Sequence, residues 1–297
     1  MEECLKQVHV PVMADEVLEY LNPQPGGVYV DGTLGLGGHT LRILEASEPD
    51  GKVIGFEWDS QAAELAGQRL QHFAERLCLV PSSYAMLLDE LERLGINEVN
   101  GILLDLGVSS LQFDTGERGF SFQTDAPLDM RMDRNQQETA AGIVNRLRKD
   151  ELADIFYNYG EERQARRIAE YIVQAREIER ITTTKQLARI VAGAIPKKFH
   201  PKKIHVATKV FQALRIAVNR ELDNLVKVLT DAPAVLAQGS RICVITFHSL
   251  EDRIVKQGFT NNRAYKIITK KPVEPTEEEV AENPRARSAR LRVAERV

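Results

Sequence analysis

Three acidic residues, Asp31, Glu57 and Asp105, each close a short apolar run, and the first opens a glycine-rich turn, Asp31-Gly-Thr-Leu-Gly-Leu-Gly-Gly-His39. Glycines at 35, 37 and 38 let the backbone approach a ligand closely and take positive φ. The helix expected after them offers free N–H groups at its start. Such a turn can serve a dinucleotide, but Thr40 stands where the third glycine of G-x-G-x-x-G belongs. A carboxylate beside the turn repels a pyrophosphate, whereas it attracts the cationic ammonium and sulfonium of S-adenosyl-L-methionine. Glu57 lies 22 residues past Gly35, at a strand end where an acid holds a ribose diol. Asp59 is the rival for that duty, and Trp58 is either an adenine neighbour or packing. Asp105 closes GILLDL at 101–106, at the carboxyl edge where ligands of open α/β sheets bind. A simple tight turn is the plain alternative; three strand-end acids together favour an S-adenosyl-L-methionine site.

Alternating apolar runs and helical periods must position these groups, the signature of a parallel sheet with crossover helices. Strands are expected at 28–31, 53–57, 77–80 and 101–106, with helices at 39–46, 60–73 and 84–94. A polar stretch at 109–134, containing Phe113, Phe120 and Phe122, then breaks the alternation. A loop that long inside a domain is functional or disordered. Helical periods follow: Ile168, Tyr171, Ile172 and Ala175 form one stripe, and Thr183 with Gln186 has capping-box spacing. Apolar positions from Val206 to Leu225 mark one long amphipathic helix. A fifth strand is expected at 241–247, a helix capped by Ser249 and Asp252 to about 257, and closing strands at 265–269 and 291–294. The fold class is therefore α/β, with 1–112 and 206–297 forming a discontinuous α/β domain. Residues 113–205 form an inserted, mostly helical domain suited to RNA recognition.

The composition fits that reading. The 297 residues are 43% hydrophobic and 28% charged, enough for a sizeable core. No apolar run has the length of a membrane helix, and the first ten residues lack an apolar signal core, so a cytoplasmic location is expected. Cys4, Cys78 and Cys243 have no metal or redox spacing and are expected as free thiols. The six histidines show no zinc spacing. A net charge of −4 argues against a general nucleic-acid binder but leaves room for local basic patches.

The motifs resemble those of the bacterial ribosomal RNA small-subunit methyltransferase H family, also called MraW. The match includes HVPVMADEV at 9–17, DGTLGLGGHT at 31–40, GILLDLGVSS at 101–110, ERGFSF at 117–122 and PLDMRMD at 127–133. It continues with YGEER at 159–163, ATKVFQALRIAVNREL at 207–222, FHSLEDRIVK at 247–256 and NPRARSARLRVAER at 283–296. The resemblance implies a Rossmann-like methyltransferase sheet with a helical insertion. It also implies N4-methylation of one cytidine in the decoding centre of 16S small-subunit ribosomal RNA. Matched to the family's motifs, the cofactor contacts are Gly37, Gly38, His39, Glu57, Tyr84, Asp105 and Gln112, beside Asp31 and Gly35 from the turn itself. This chain departs from the family by Glu57 for the usual Asp, Tyr84 for Phe, and Leu111 and Phe113 around Gln112.

The reaction so implied is an in-line displacement at a sulfonium methyl, with the amine about 3–3.5 Å from the methyl carbon. Cytosine N4 is a poor nucleophile, so an acceptor on its N–H would help. Asp105, Ser109, Ser110 and His248 are the candidates. The Asp/Asn-Pro-Pro-aromatic motif of many amino-methyltransferases is absent from 105–110. Turn and cap duty is the alternative for Ser109, Ser110 and His248. No metal is required, since neither nucleophile nor leaving group needs a Lewis acid. The partner is the small ribosomal subunit, reached by basic clusters at 163–167, 197–209 and 285–296 unless these are merely solvated faces. Phe113, Phe120 and Phe122 stack on bases or pack over the loop. The target base must leave its stack. The oligomeric state stays open, a dimer being one alternative. The rivals are a nicotinamide-dependent dehydrogenase, a non-catalytic ribosome-binding factor, and a methyltransferase acting on DNA or protein.

Overall fold

The computed structural model describes residues 11–108, 116–201 and 204–297. They divide into two compact units, one formed by the described residues up to 108 with Leu222–Val297, the other by those from 116 to 221. The second unit runs beyond residue 205, the end of the insertion in the sequence reading, because the helix Thr208–Asn219 packs on the helices at 140–146 and 149–158.

In the first unit the strands are β1 (Val28–Asp31), β2 (Lys52–Phe56), β3 (Leu77–Val80), β4 (Val99–Asp105), β5 (Leu236–Thr246), β6 (Tyr265–Ile267) and β7 (Arg290–Arg296). Among the described residues they form one sheet in the order β3-β2-β1-β4-β5-β7-β6. The first five are parallel; β7 runs antiparallel to β5 and β6. Helices α1 (Ala14–Leu21), α2 (Gly38–Ala46), α3 (Ser60–Arg69), α4 (Leu87–Arg93), α10 (Glu221–Asp231), α11 (Ser249–Asn261) and α12 (Glu277–Glu282) accompany it.

Alternation along the strands builds a core on each face, as a sheet covered on both sides requires. Val30, Ile54, Ile102, Leu104 and Val244 pack with Leu87, Leu91, Leu229 and Val255 on one side. Tyr29, Val53, Leu103, Cys243 and Ile245 pack with Val17, Leu21, Ile43 and Leu44 on the other. Leu103 and Ile102 are neighbours buried in opposite layers, each worth about 2 kcal/mol of apolar burial. Register places Asp31 beside Leu103 and Asp105 beside Ile245. From β1 the chain proceeds outward to β2 and β3; from β4 it proceeds the other way to β5. The sheet therefore reverses between β1 and β4, the place at whose carboxyl ends open α/β sheets bind ligands.

The second unit holds α5 (Ala140–Arg146), α6 (Lys149–Asn158), α7 (Ala165–Ile178), α8 (Thr184–Ala194) and α9 (Thr208–Asn219). Ile168 and Ile172 of the expected stripe are buried, with Leu187 and Val191 on α8 and Val210, Phe211 and Leu214 on α9. The capping box is present: Thr183 Oγ1 accepts from Gln186 N–H at 3.3 Å, and Gln186 Oε1 accepts from Thr183 N–H at 3.0 Å.

Several boundaries correct the sequence reading. The expected long helix to Leu225 is two helices, because Arg220 adopts φ 53° and ends α9. The helix expected at 60–73 stops at Arg69 and tightens into a 3-10 turn at Gln71–Phe73. β5 begins at Leu236, before the expected 241. His248 with Glu251, not Ser249 with Asp252, caps α11. Asp252 is instead engaged by Arg292, at 2.6 and 3.1 Å.

Candidate functional site

Asp31, the last residue of β1, is almost wholly buried. Its Oδ1 accepts from Thr33 N–H at 3.1 Å and its Oδ2 from the Thr40 hydroxyl at 2.7 Å. Burial pushes this carboxyl above the ordinary aspartate range, against the pull of His39 and the two hydrogen bonds. Thr33 also accepts from Asp105 N–H at 2.6 Å, so the turn after β1 is tied to the end of β4. The sequence reading missed both threonines. In the sequence Thr40 stands out only as a departure from the glycine pattern; the signal it carries is a hydroxyl in the first turn of a helix that starts beside a buried acid.

The glycine turn takes the positive φ expected of it. Gly35 and Gly37 take φ of 52° and 76°, and a Cβ on Gly37 would stand 2.7 Å from Leu70 Cδ1. Gly35 N–H donates to Glu57 Oε2 at 3.0 Å, and Asp59 N–H donates to Glu57 Oε1 at 2.8 Å. Glu57 is thus fixed by a backbone donor on each oxygen just beyond β2. Burial pushes its carboxyl up to about 7, with the nearby Asp59 and Asp31 adding to the rise. Asp59, the rival, serves the next helix instead, where its Oδ1 accepts from Gln61 N–H at 3.1 Å and caps α3. Gly38 opens α2, where a Cβ would come within 3.3 Å of Pro11. Tyr84 begins the 3-10 turn Tyr84–Met86, its Cβ 3.1 Å from the position a Cβ on Gly32 would occupy.

His39 and Asp105 meet at the switch point. His39 Nε2 lies 3.6 Å from Asp105 Oδ2, with His39 buried and the Asp105 side chain 20% exposed. Both ring nitrogens of His39 and Asp105 Oδ1 are buried without a hydrogen-bond partner among the described residues. Polar atoms buried in that way cost free energy unless a ligand satisfies them.

His248 stands three residues beyond Ile245, the strand partner of Asp105. Its Nδ1 accepts from Glu251 N–H at 3.3 Å, while Glu251 Oε2 accepts from the N–H groups of Phe247 and His248. Its Nε2 comes within 3.1 Å of Glu251 Oε1 but in a geometry that leaves it without a hydrogen bond. His248 therefore does perform cap duty. Ser109, Ser110, Gln112 and Phe113 lie outside the described residues.

Phe120 and Phe122 of the loop are packed rather than free, the second of the two alternatives for them. Phe120 is buried, and the Phe122 ring lies 4.7 Å from His205 and 4.8 Å from Phe211. The basic tail is also partly spent on structure, since Arg292 holds Asp252 and Arg296 donates to Pro233 C=O. Among the described residues no cluster of His, Cys, Asp or Glu could hold a metal, and no helix is long and apolar enough to cross a membrane.

A model of the MraW methylase family matches residues 6–297. The chain belongs to that family. A relative from Desulfotalea psychrophila, called ribosomal RNA small subunit methyltransferase H, is 58% identical over 98% of this chain and 99% of its own length. A relative of the same name from Geobacter sulfurreducens is 53% identical, covering 97% and 99%. Among solved structures, an rRNA methylase from Streptococcus thermophilus aligns with 96% of this chain and 93% of its own at 11% identity and a TM-score of 0.45. The MraW match spans both the glycine turn and the helical unit. The sheet is thus a Rossmann-like methyltransferase sheet, with its switch point at Asp31 and Asp105.

Proposed function

We propose that this chain transfers the methyl group of S-adenosyl-L-methionine to N4 of one cytidine in the decoding centre of 16S ribosomal RNA. The observation that carries the reading is the set of buried polar atoms without partners among the described residues, His39 Nδ1 and Nε2 and Asp105 Oδ1, at the switch point of a MraW-family sheet. The relatives' common name supports the small-subunit substrate. The residues fit the cofactor. Asp31, Glu57 and Asp105 present acid to a cation, and the positive-φ glycines admit a close backbone approach.

When bound, S-adenosyl-L-methionine supplies an electrophilic methyl on a good leaving group. Glu57, anchored by two backbone N–H groups, keeps its remaining lone pairs for the ribose hydroxyls. Asp31 holds the turn through Thr33 and Thr40 and sets a negative potential beside it. Gly35, Gly37, Gly38, Tyr84 and Gln112 complete the cofactor contacts. Asp105 Oδ1 accepts the amine N–H, drawing N4 toward a tetrahedral geometry. Asp105 Oδ1 would also take up the proton that the amine gives up as it is methylated. Ser109 and Ser110 are the alternative acceptors, the one lone pair of the His248 ring being spent on Glu251 N–H. The enzyme works in the cytoplasm on the small ribosomal subunit.

The test incubates the protein and methyl-labelled cofactor with small subunits that lack the modification, then identifies labelled nucleosides by mass spectrometry. N4-methylcytidine at a single decoding-centre position is expected. Label in another nucleoside, or none despite cofactor binding, would defeat the reading.

A further inference from the structure

The chain carries net negative charge, yet residues 180–220 contain no Asp or Glu and ten Lys or Arg. Some of these cations are spent within the fold: Arg215 pairs with Glu221 at 2.9 Å, and Lys209 Nζ donates to Glu161 C=O at 2.9 Å. Others form a stripe. Lys185, Arg189 and Gly193 recur on α8 at four-residue spacing, the spacing that aligns side chains on one face of a helix, and Lys197 follows just beyond the helix end. The other face of α8 is buried through Leu187, Val191 and Ala194. A Cβ on Gly193 would meet nothing within 4 Å, so the stripe leaves room for a strand to approach the backbone. Asp125 is the acid that faces its start, accepting from Lys185 N–H at 3.2 Å and sensing Lys185 and Arg189.

At the far end, the 3-10 turn Lys197–Phe199 is exposed at all three residues. Phe199 is 55% exposed, with Lys198 Nζ 5.0 Å above its ring centroid. Phe120 and Phe122 are taken up in packing, whereas Phe199 is held in water beside cations. A phosphate chain and an unstacked base are complementary to that pairing, because aromatic faces take bases of any sequence and the cations take the backbone.

We propose that single-stranded RNA docks along this stripe, its phosphates against Lys185, Arg189, Lys197 and Lys198 and one base against Phe199. The identification of the strand as ribosomal rests on the function proposed above; the docking itself does not.

The test is fluorescence-anisotropy titration of the full chain with a labelled single-stranded RNA oligonucleotide across a salt series, without cofactor or turnover. Four phosphate contacts give a slope of log affinity on log salt of about −2.8. In the double variant K197Q/K198Q the slope should shrink in magnitude by about 1.4. Phe199→Ala should weaken binding roughly 5- to 150-fold at fixed salt with the slope unchanged, and Phe199→Tyr should restore it. Wild-type affinity and slope in K197Q/K198Q would overturn the proposal, as would salt-independent binding or equal binding of a duplex. Displacement of the strand by polyglutamate as readily as by RNA would overturn it in favour of a protein partner. Altered binding in the variants beside absent methyl transfer would sink only the proposed function; methyl transfer beside unaltered binding would sink only the docking surface.

Discussion

The two units bury polar side chains for different ends. In the helical unit Asn219 donates to Met130 C=O at 2.8 Å and accepts from Met132 N–H at 2.8 Å. Arg118 donates to the carbonyls of Arg131 and Met132. These groups are consumed in holding the loop around 130 against α9. In the α/β unit, His39, Asp105 and His248 own the buried side-chain atoms that have no partner among the described residues. A buried polar atom that the fold satisfies is architecture, and one that it leaves unsatisfied costs stability that only a ligand returns. The difference separates site from scaffold without reference to any relative.

The largest expected effect tests the unsatisfied side of that comparison. Asp105→Asn keeps the shape of the side chain but removes its charge and half of its accepting capacity. Methyl transfer should fall roughly 10²- to 10³-fold in kcat. Unfolding free energy should not fall, because among the described residues Asp105 Oδ1 has no hydrogen-bond partner and Oδ2 has only His39, 3.6 Å away. Wild-type turnover would remove Asp105 from the chemistry. A lowered unfolding free energy would return it to the scaffold.

Glu57 sharpens the comparison through pH. Its carboxyl is raised from 4.5 to about 7, so between those values the folded chain holds a proton that the unfolded chain has released. The stabilisation linked to this proton is fully present below pH 4.5 and is lost as pH rises through 7, amounting to about 3 kcal/mol. Glu57→Gln stays neutral throughout. It should be less stable than wild type at pH 5, because an amide nitrogen then faces Gly35 N–H or Asp59 N–H, but it should lack the decline toward pH 8. Urea unfolding of both proteins at pH 5 and 8, without cofactor, measures this. Parallel declines would place the proton elsewhere.

The α/β unit was the more legible in sequence, for a local reason. A strand of a doubly covered sheet is a short apolar run bounded by a turn, and 28–31 and 77–80 are such runs. An acid at the end of such a run is placed by the run itself. The Thr183–Gln186 box was equally local. What failed was long-range. The apolar period passes through Arg220 without a mark, so the break between α9 and α10 is invisible until Asn219 is seen anchored to residues some ninety positions earlier. Ser249 and Asp252 are better caps by residue type than His248, but Asp252 is claimed by Arg292, 40 positions away. Phe122 gave no sign of His205 or Phe211. Likewise nothing in the spacing showed that Thr33 ties the glycine turn to Asp105.

The satisfied side of the comparison has its own test. Asn219→Ala strands Met132 N–H and Met130 C=O, each costing about 1–3 kcal/mol if it stays buried. Hydrogen exchange should quicken at Met132, and the helical unit should lose stability in urea. Cofactor affinity should stay at the wild-type value, since Asp31, Glu57 and Asp105, proposed to hold the cofactor, belong to the other unit. An equal loss of cofactor affinity would mean that the two kinds of buried polar group are less separable than the contrast holds.

The smallest effect comes from one substitution made in both units. Gly37→Ala forces a methyl into φ 76° and to within 2.7 Å of Leu70 Cδ1. The left-handed conformation alone costs about 1–2 kcal/mol, and Leu70 is fully buried, with little freedom to yield. Gly193→Ala places the same methyl on the exposed face of α8, where nothing lies within 4 Å. There the change narrows the unfolded ensemble and raises helix propensity, for a gain of up to about 1 kcal/mol, reduced by the closeness of the helix end. The same alteration should therefore lower the unfolding free energy in the α/β unit and raise it in the helical unit, as read by urea unfolding of the two single variants. Two losses would show that Gly193 serves a backbone contact made by the fold itself, and the stripe on α8 would then be scaffold. Two gains would show that the glycine turn tolerates a side chain, and the close approach that makes it a cofactor site would lose its physical ground.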